Sequence, residues 1–252
     1  MIEIFILSLI QGVTEFLPIS SSSHLILTSE YLDFKNQSLS IDVSLHIGSF
    51  LGVISYFYKD IFNFYGNKKL FYKILISSLP VMLVGFILVE TGYIEKIRNI
   101  ETIAWTTLIF GILLYFSDRF GLQKNIKNHF NYKSAIFIGI LQVFSLIPGV
   151  SRSGIAITAA RLLKFERTDS AKISFLLSIP ILGAVSIFGI KNIIISEDYN
   201  LAKINFTAIL LSFFFSLITI KYFLRFIKKS NLNFFVYYRV LIGIILLSFA
   251  YL

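Results

Sequence analysis

The chain has 252 residues, of which 56% are hydrophobic and only 15% charged, with 27 Phe, no Cys and a formal net charge of +9; its mean hydropathy is +0.79. A soluble domain needs about a quarter of its residues charged to cover its surface, so this composition excludes an ordinary soluble fold and points to an all-α polytopic membrane protein. The lack of Cys excludes disulfides, thiolate metal sites and Cys nucleophiles. The basic residues lie in short gaps between apolar runs, which argues for topology signals and against a nucleic-acid surface.

Met1-Ile2-Glu3-Ile4-Phe5 lacks the basic stretch of a secretory signal, so the first apolar segment is expected to remain in the mature fold. That segment, 4–29, is broken midway by Gln11-Gly12-Val13-Thr14-Glu15-Phe16-Leu17-Pro18-Ile19-Ser20-Ser21-Ser22-Ser23-His24. Spans are predicted next over 41–58, 74–90 and 102–117, close to the roughly 20 residues that cross a bilayer. Residues 134–160 are broken in the same way, by Gln142-Val143-Phe144-Ser145-Leu146-Ile147-Pro148-Gly149-Val150-Ser151-Arg152-Ser153-Gly154. Three further spans follow, over 173–190, 204–220 and 234–252.

The two broken segments match at a shift of 130, which sets Pro18 on Pro148, Ser21 on Ser151 and Ser23 on Ser153. Paired interrupted segments in corresponding halves predict one membrane domain of two inverted repeats, about 1–126 and 127–252, with a site near the midplane. Charge decides whether the segments cross or turn back. If both are re-entrant, one side of the membrane collects 15 Lys and Arg against 5 (Lys35, Lys96, Arg98, Lys191, Lys203); if both cross, the sides divide 10 to 10. The positive-inside rule favours the first, hence six spans plus two re-entrant hairpins. The first hairpin then enters from the outer face, the second from the cytoplasmic face, and their tips meet in a buried or wet region.

Chemistry is expected at those tips. Glu15 lies deep in an apolar segment, where a carboxylate is costly and by default functional. Gln11 sits on the same helical face, four residues earlier, able to orient Glu15 or help hold a metal. Pro18 makes a turn, and Ser20 to Ser23 after it include helix caps and, beside Glu15 and His24, the makings of an activated nucleophile at Ser21 with His24 as an acid or base. Ser151-Arg152-Ser153-Gly154 opens a second helix with hydroxyls, a guanidinium fork and backbone N–H groups, a set suited to phosphate. Asp42 and His46 are one turn apart, a spacing that suits a metal pair, but Asp42 stands where an N-cap is expected and capping is the favoured reading. Arg239 lies near the cytoplasmic end of the last span, where snorkelling accounts for it.

Together the two motifs, with Ser174-Phe175-Leu176-Leu177-Ser178-Ile179-Pro180 and Tyr238-Arg239, resemble the undecaprenyl-diphosphate phosphatase (bacitracin-resistance) family over nearly the whole chain. The resemblance implies a bacterial inner-membrane enzyme with interdigitated inverted repeats. It would hydrolyse undecaprenyl diphosphate to the monophosphate carrier and inorganic phosphate, recycling the carrier for peptidoglycan synthesis and conferring bacitracin resistance. It implies Glu15, Ser21, His24 and Arg152 as catalytic residues, with Ser20, Ser151, Arg152, Ser153 and Gly154 binding phosphate and Gln11 in support. It leaves open a divalent cation (Mg or Ca) at Glu15 and Gln11, a homodimer, and Ser21 or water as nucleophile. Four positions depart from the family pattern: Gln11 replaces a usual Glu, Ser22-Ser23 a usual Thr-Gly, and Ala156 a usual Thr. The rival reading is an inverted-repeat transporter or flippase for an anionic polyprenyl lipid, using the same Glu15 and Arg152.

Overall fold

The computed structural model describes residues 1–34, 38–121, 124–194 and 199–251. Among them no named strand occurs, and six helices are long and apolar enough to cross a bilayer: Leu39–Tyr56, Lys68–Glu90, Ile100–Asp118, Arg167–Ile190, Asn200–Lys229 and Asn233–Tyr251. These match the six predicted spans. Four of them are longer, because those helices run past the hydrocarbon into polar ends, and the first and last keep the predicted length with a shift of one or two residues. Ser38, Asn67 and Asn99 cap α3 (Leu39–Tyr56), α5 (Lys68–Glu90) and α7 (Ile100–Asp118) by accepting first-turn N–H groups. Lys35 lies outside the described residues.

Capping corrects one expectation. The N-cap of α3 is Ser38, whose Oγ accepts from the Ile41 N–H, and Asp42 lies inside the first turn. Ser38 takes the position because its extended backbone precedes the helix, whereas Asp42 is already helical.

Both broken segments fold as hairpins too short to span. The first is α1 (Ile2–Thr14) and α2 (Ser21–Tyr31), joined through Pro18. The second is α9 (Tyr132–Gln142), a 3-10 turn at Val143–Leu146 and α10 (Arg152–Leu162). Short helices α4 (Tyr58–Gly66), α6 (Tyr93–Lys96) and α8 (Ile126–His129) fill three connections. The long helices α11 (Arg167–Ile194), α12 (Tyr199–Lys229) and α13 (Asn233–Tyr251) complete the chain.

The halves are interleaved. α1 packs on α12, far along the chain, and α9 packs on α5; α3 lies against both α11 and α12, and α7 against α13. α12 comes close to α3 and α1 because small residues face it: a Cβ on Gly12 would strike Phe215, and one on Gly52 would lie 2.8 Å from Ser216 Cβ. The outside is correspondingly apolar, with Ile187 74% and Phe188 70% exposed. Water would not tolerate such a belt, but hydrocarbon does. At one end Asp118 accepts from Arg161 Nε at 3.2 Å, Arg167 Nε at 2.8 Å and the Leu232 N–H at 3.1 Å, tying α7, α10, α11 and the start of α13 together.

Candidate active site

The turns of the two hairpins meet. Ser20 and Ser151 stand at the N-cap positions of α2 and α10, and both have positive φ, 73° and 70°. L residues rarely hold that conformation outside functional turns. The caps are 131 residues apart, one more than the sequence match at the prolines. Gly149, at φ 92°, is the additional residue of the second turn, and a Cβ there would collide with Thr106. Consequently Ser21 and Arg152, rather than Ser21 and Ser151, occupy equivalent first helical positions.

Glu15 is at the centre. Its Oε2 accepts from Ser21 Oγ at 2.7 Å and from Gln11 Nε2 at 3.2 Å, and its Oε1 accepts from Arg152 Nη2 at 2.6 Å. Arg152 Nη1 also donates to the Ser174 carbonyl at 3.1 Å, which aims the guanidinium between α10 and α11. All of Gln11, Glu15, Ser21 and Arg152 are therefore assembled, although 137 residues separate Glu15 from Arg152.

The serines around Arg152 hold the turn. Ser151 Oγ caps the Gly154 N–H at 3.0 Å and lies 3.1 Å from Ser153 Oγ, while Ser153 Oγ donates to the Leu17 carbonyl at 2.7 Å. They join one hairpin tip to the other. Gly154 contributes space: a Cβ there would lie 2.9 Å from Arg239 Nη1. Ser20 Oγ is 3.0 Å from Ser23 Oγ within its own turn.

His24 takes different partners. Its Nδ1 is 2.6 Å from the Ser20 carbonyl and its Nε2 2.5 Å from Tyr238 Oη, and neither nitrogen reaches Glu15 or Ser21.

Two further residues belong to this cluster that sequence reasoning set aside. His46 Nδ1 lies 3.0 Å from Gln11 Nε2 and 4.0 Å from Glu15 Oε2, with 28% of its side chain exposed. It is drawn toward α1, not toward a metal shared with Asp42, and no group of three or more His, Asp or Glu that could hold a metal occurs among the described residues. Arg239 is 1% exposed and does not snorkel. Its guanidinium donates to the carbonyls of Pro18 at 3.3 Å, Gly149 at 2.8 Å, Val150 at 3.0 Å and Thr107 at 3.2 Å, bolting both turns to α7 and α13. The available signal was an Arg within a predicted span, which protein partners can satisfy as well as snorkelling can.

An apolar cavity of about 370 Å³ lies between α2, α7 and α13. His24 and Tyr238 lie at its inner end, and Leu27, Ile103, Ile242 and Phe249 line the way to the end of α2.

A carboxylate bonded to a serine, a guanidinium beside it and two helix N-termini converging on one point make an apparatus for an anionic group, buried in a membrane fold. The family model described as "Bacitracin resistance protein BacA" matches residues 4–245. The chain belongs to this family. It is 47% identical over 251 residues to a protein of Pelagibacter ubique (strain HTCC1062) named undecaprenyl-diphosphatase, covering 99% of this chain and 98% of that one. A protein of the same name from Jannaschia sp. (strain CCS1) is 38% identical over 261 residues, covering 98% of both chains. Another, from Roseobacter denitrificans (strain ATCC 33942 / OCh 114), is 38% identical over 263 residues, covering 99% of this chain and 98% of its own. The match takes in both hairpins, so membership of the family extends to the cluster around Glu15 as well as to the spans.

Proposed function

We infer that this chain is a membrane-embedded hydrolase that converts undecaprenyl diphosphate to undecaprenyl phosphate and inorganic phosphate, and so supports bacitracin resistance. The observation that carries the chemistry is the 2.7 Å bond from Ser21 Oγ to Glu15 Oε2. It is a hydroxyl and a carboxylate within the reach that general-base activation of a nucleophile needs.

In this reading the terminal phosphate displaces Arg152 from Glu15 and is held by its guanidinium and by the free first-turn N–H groups of α2 and α10. Glu15 takes the Ser21 proton as Oγ attacks the terminal phosphorus. The bridging P–O bond breaks and undecaprenyl phosphate leaves with that bond's electrons. Water then attacks the phosphoseryl phosphorus. The Oγ–P bond breaks, and Ser21 Oγ leaves with its electrons and takes back the proton held by Glu15. The water's proton passes to the regenerated carboxylate and on to solvent, and inorganic phosphate departs. Positioned positive charge supplies most of the acceleration in such transfers. The isoprenoid tail lies in the cavity between α2, α7 and α13.

Glu15 and Gln11, the positions considered for a divalent cation, do not fit a resident one. Glu15 is engaged by Arg152, and Gln11 offers only its Oε1, which has no partner. A dedicated cage needs more oxygen ligands than this, so the mechanism is derived without a metal.

The cellular setting in this reading is the bacterial inner membrane, with two inverted repeats and the first hairpin opening outward. The 15-to-5 basic asymmetry supports that orientation. A Cys introduced at position 68 should resist an impermeant maleimide added to intact cells and react once they are opened; labelling from outside would reverse the topology.

The function is tested by phosphate release from farnesyl diphosphate by purified protein in detergent. Turnover is expected. Lipid binding without any release would favour the transporter reading instead, since transport needs Arg152 but not a serine bonded to a carboxylate.

A further inference from the structure

His24 has a fixed role in the polar network that the hydrolytic scheme leaves unused. The Ser20 carbonyl can only accept, so His24 Nδ1 carries the proton, and Nε2 of the uncharged ring accepts the Tyr238 O–H at 2.5 Å. The two rings are nearly parallel, 12° apart with centroids at 5.7 Å. Tyr238 is itself held in place, because the next residue, Arg239, is bonded to carbonyls of both hairpin turns.

The pair stands at the inner end of the apolar cavity. From there to Ser21 the path follows α2, three residues or about 4.5 Å along the axis. His24 and Ser21 lie on the same face of that helix. A lipid diphosphate with its tail in the cavity must therefore set its lipid-bearing phosphate beside Tyr238 and His24 when its terminal phosphate is at Ser21 and Arg152.

We propose that Tyr238 and His24 form the binding subsite for the lipid-bearing phosphate, with the Tyr238 hydroxyl as its principal donor. This rests on the hydrolase reading and adds a specificity determinant to it. With an anion present the Tyr238 O–H turns from His24 Nε2 to a phosphate oxygen. A monophosphate whose phosphorus is placed for attack has nothing to offer this subsite, so the contact favours diphosphates.

The two products divide the subsites and give the test. Farnesyl monophosphate, the product of farnesyl diphosphate cleavage, should occupy the cavity and the Tyr238 subsite, whereas inorganic phosphate should occupy the Arg152 subsite. Tyr238→Phe removes only the hydroxyl. The inhibition constant of farnesyl monophosphate should rise by about 10-fold or more, the effect of one hydrogen bond to a charged group, and that of inorganic phosphate should stay as in wild type. His24→Asn should raise the first constant in the same direction, which keeps the test informative if the Tyr238 variant folds poorly. An unchanged constant for farnesyl monophosphate overturns the subsite. So does equal weakening of both inhibitors, which would mean that Tyr238 only supports the fold of the turns. A wild-type protein with no turnover removes the hydrolase reading and the subsite together. Normal turnover with the wrong inhibition pattern removes the subsite alone.

Discussion

Glu15→Gln should lower turnover of a polyprenyl diphosphate by at least about 100-fold, the usual contribution of a general base. The amide keeps the size of the side chain and can still meet Ser21, but it cannot take the proton that Ser21 Oγ now presents at 2.7 Å. The same substitution frees Arg152 from a 2.6 Å ion pair. Removing one member of a buried pair costs stability, of order 3–5 kcal/mol where the remaining charge finds no partner. Arg152 retains the Ser174 carbonyl and gains access to any incoming phosphate. Binding of inorganic phosphate should accordingly be equal to or tighter than in wild type, even as hydrolysis collapses. Thermal stability, phosphate binding and turnover measured on one preparation separate these effects. Near wild-type turnover would exclude Glu15 as the base, and lost binding together with lost turnover would show that it serves the fold.

Arg152→Lys should reduce turnover by roughly 30- to 150-fold, the rate equivalent of about 2–3 kcal/mol lost with one charge-assisted hydrogen bond in the transition state. Arg152 uses Nη2 for Glu15 and Nη1 for the Ser174 carbonyl, so its fork spans two elements. An ammonium can replace either contact but not both in that geometry. If the residue served only as the counter-ion of Glu15, Lys would do nearly as well and the variant would be stable and active. Normal melting with crippled hydrolysis supports the phosphate clamp. A stable, fully active variant would reduce Arg152 to a structural ion pair.

Much of the architecture was legible in the chain. Six apolar runs became the six spanning helices, and Pro18 and Pro148 marked both hairpin turns, because length, hydropathy and proline act locally. The resemblance likewise singled out Glu15, Ser21 and Arg152, which the fold gathers around one carboxylate.

What the chain alone did not reveal is how groups far apart in sequence share their partners. Arg239 looked like a snorkelling residue until its place beneath both turns gave it four carbonyls within 3.3 Å. His46 carried no assigned role, the favoured reading of its neighbour Asp42 being a cap, and the approach of α1 to α3 sets it beside Gln11. Ser151, Ser153 and Gly154 suit a phosphate by residue type, but their partners within the protein, each other and Leu17 for the two hydroxyls and the Ser151 cap for the Gly154 N–H, are set by the contact between hairpin tips. The physical reason is common to all of these. In hydrocarbon each polar group must find an internal partner, and the residue type fixes what it can donate or accept. Only the packing of distant helices decides which partner it meets.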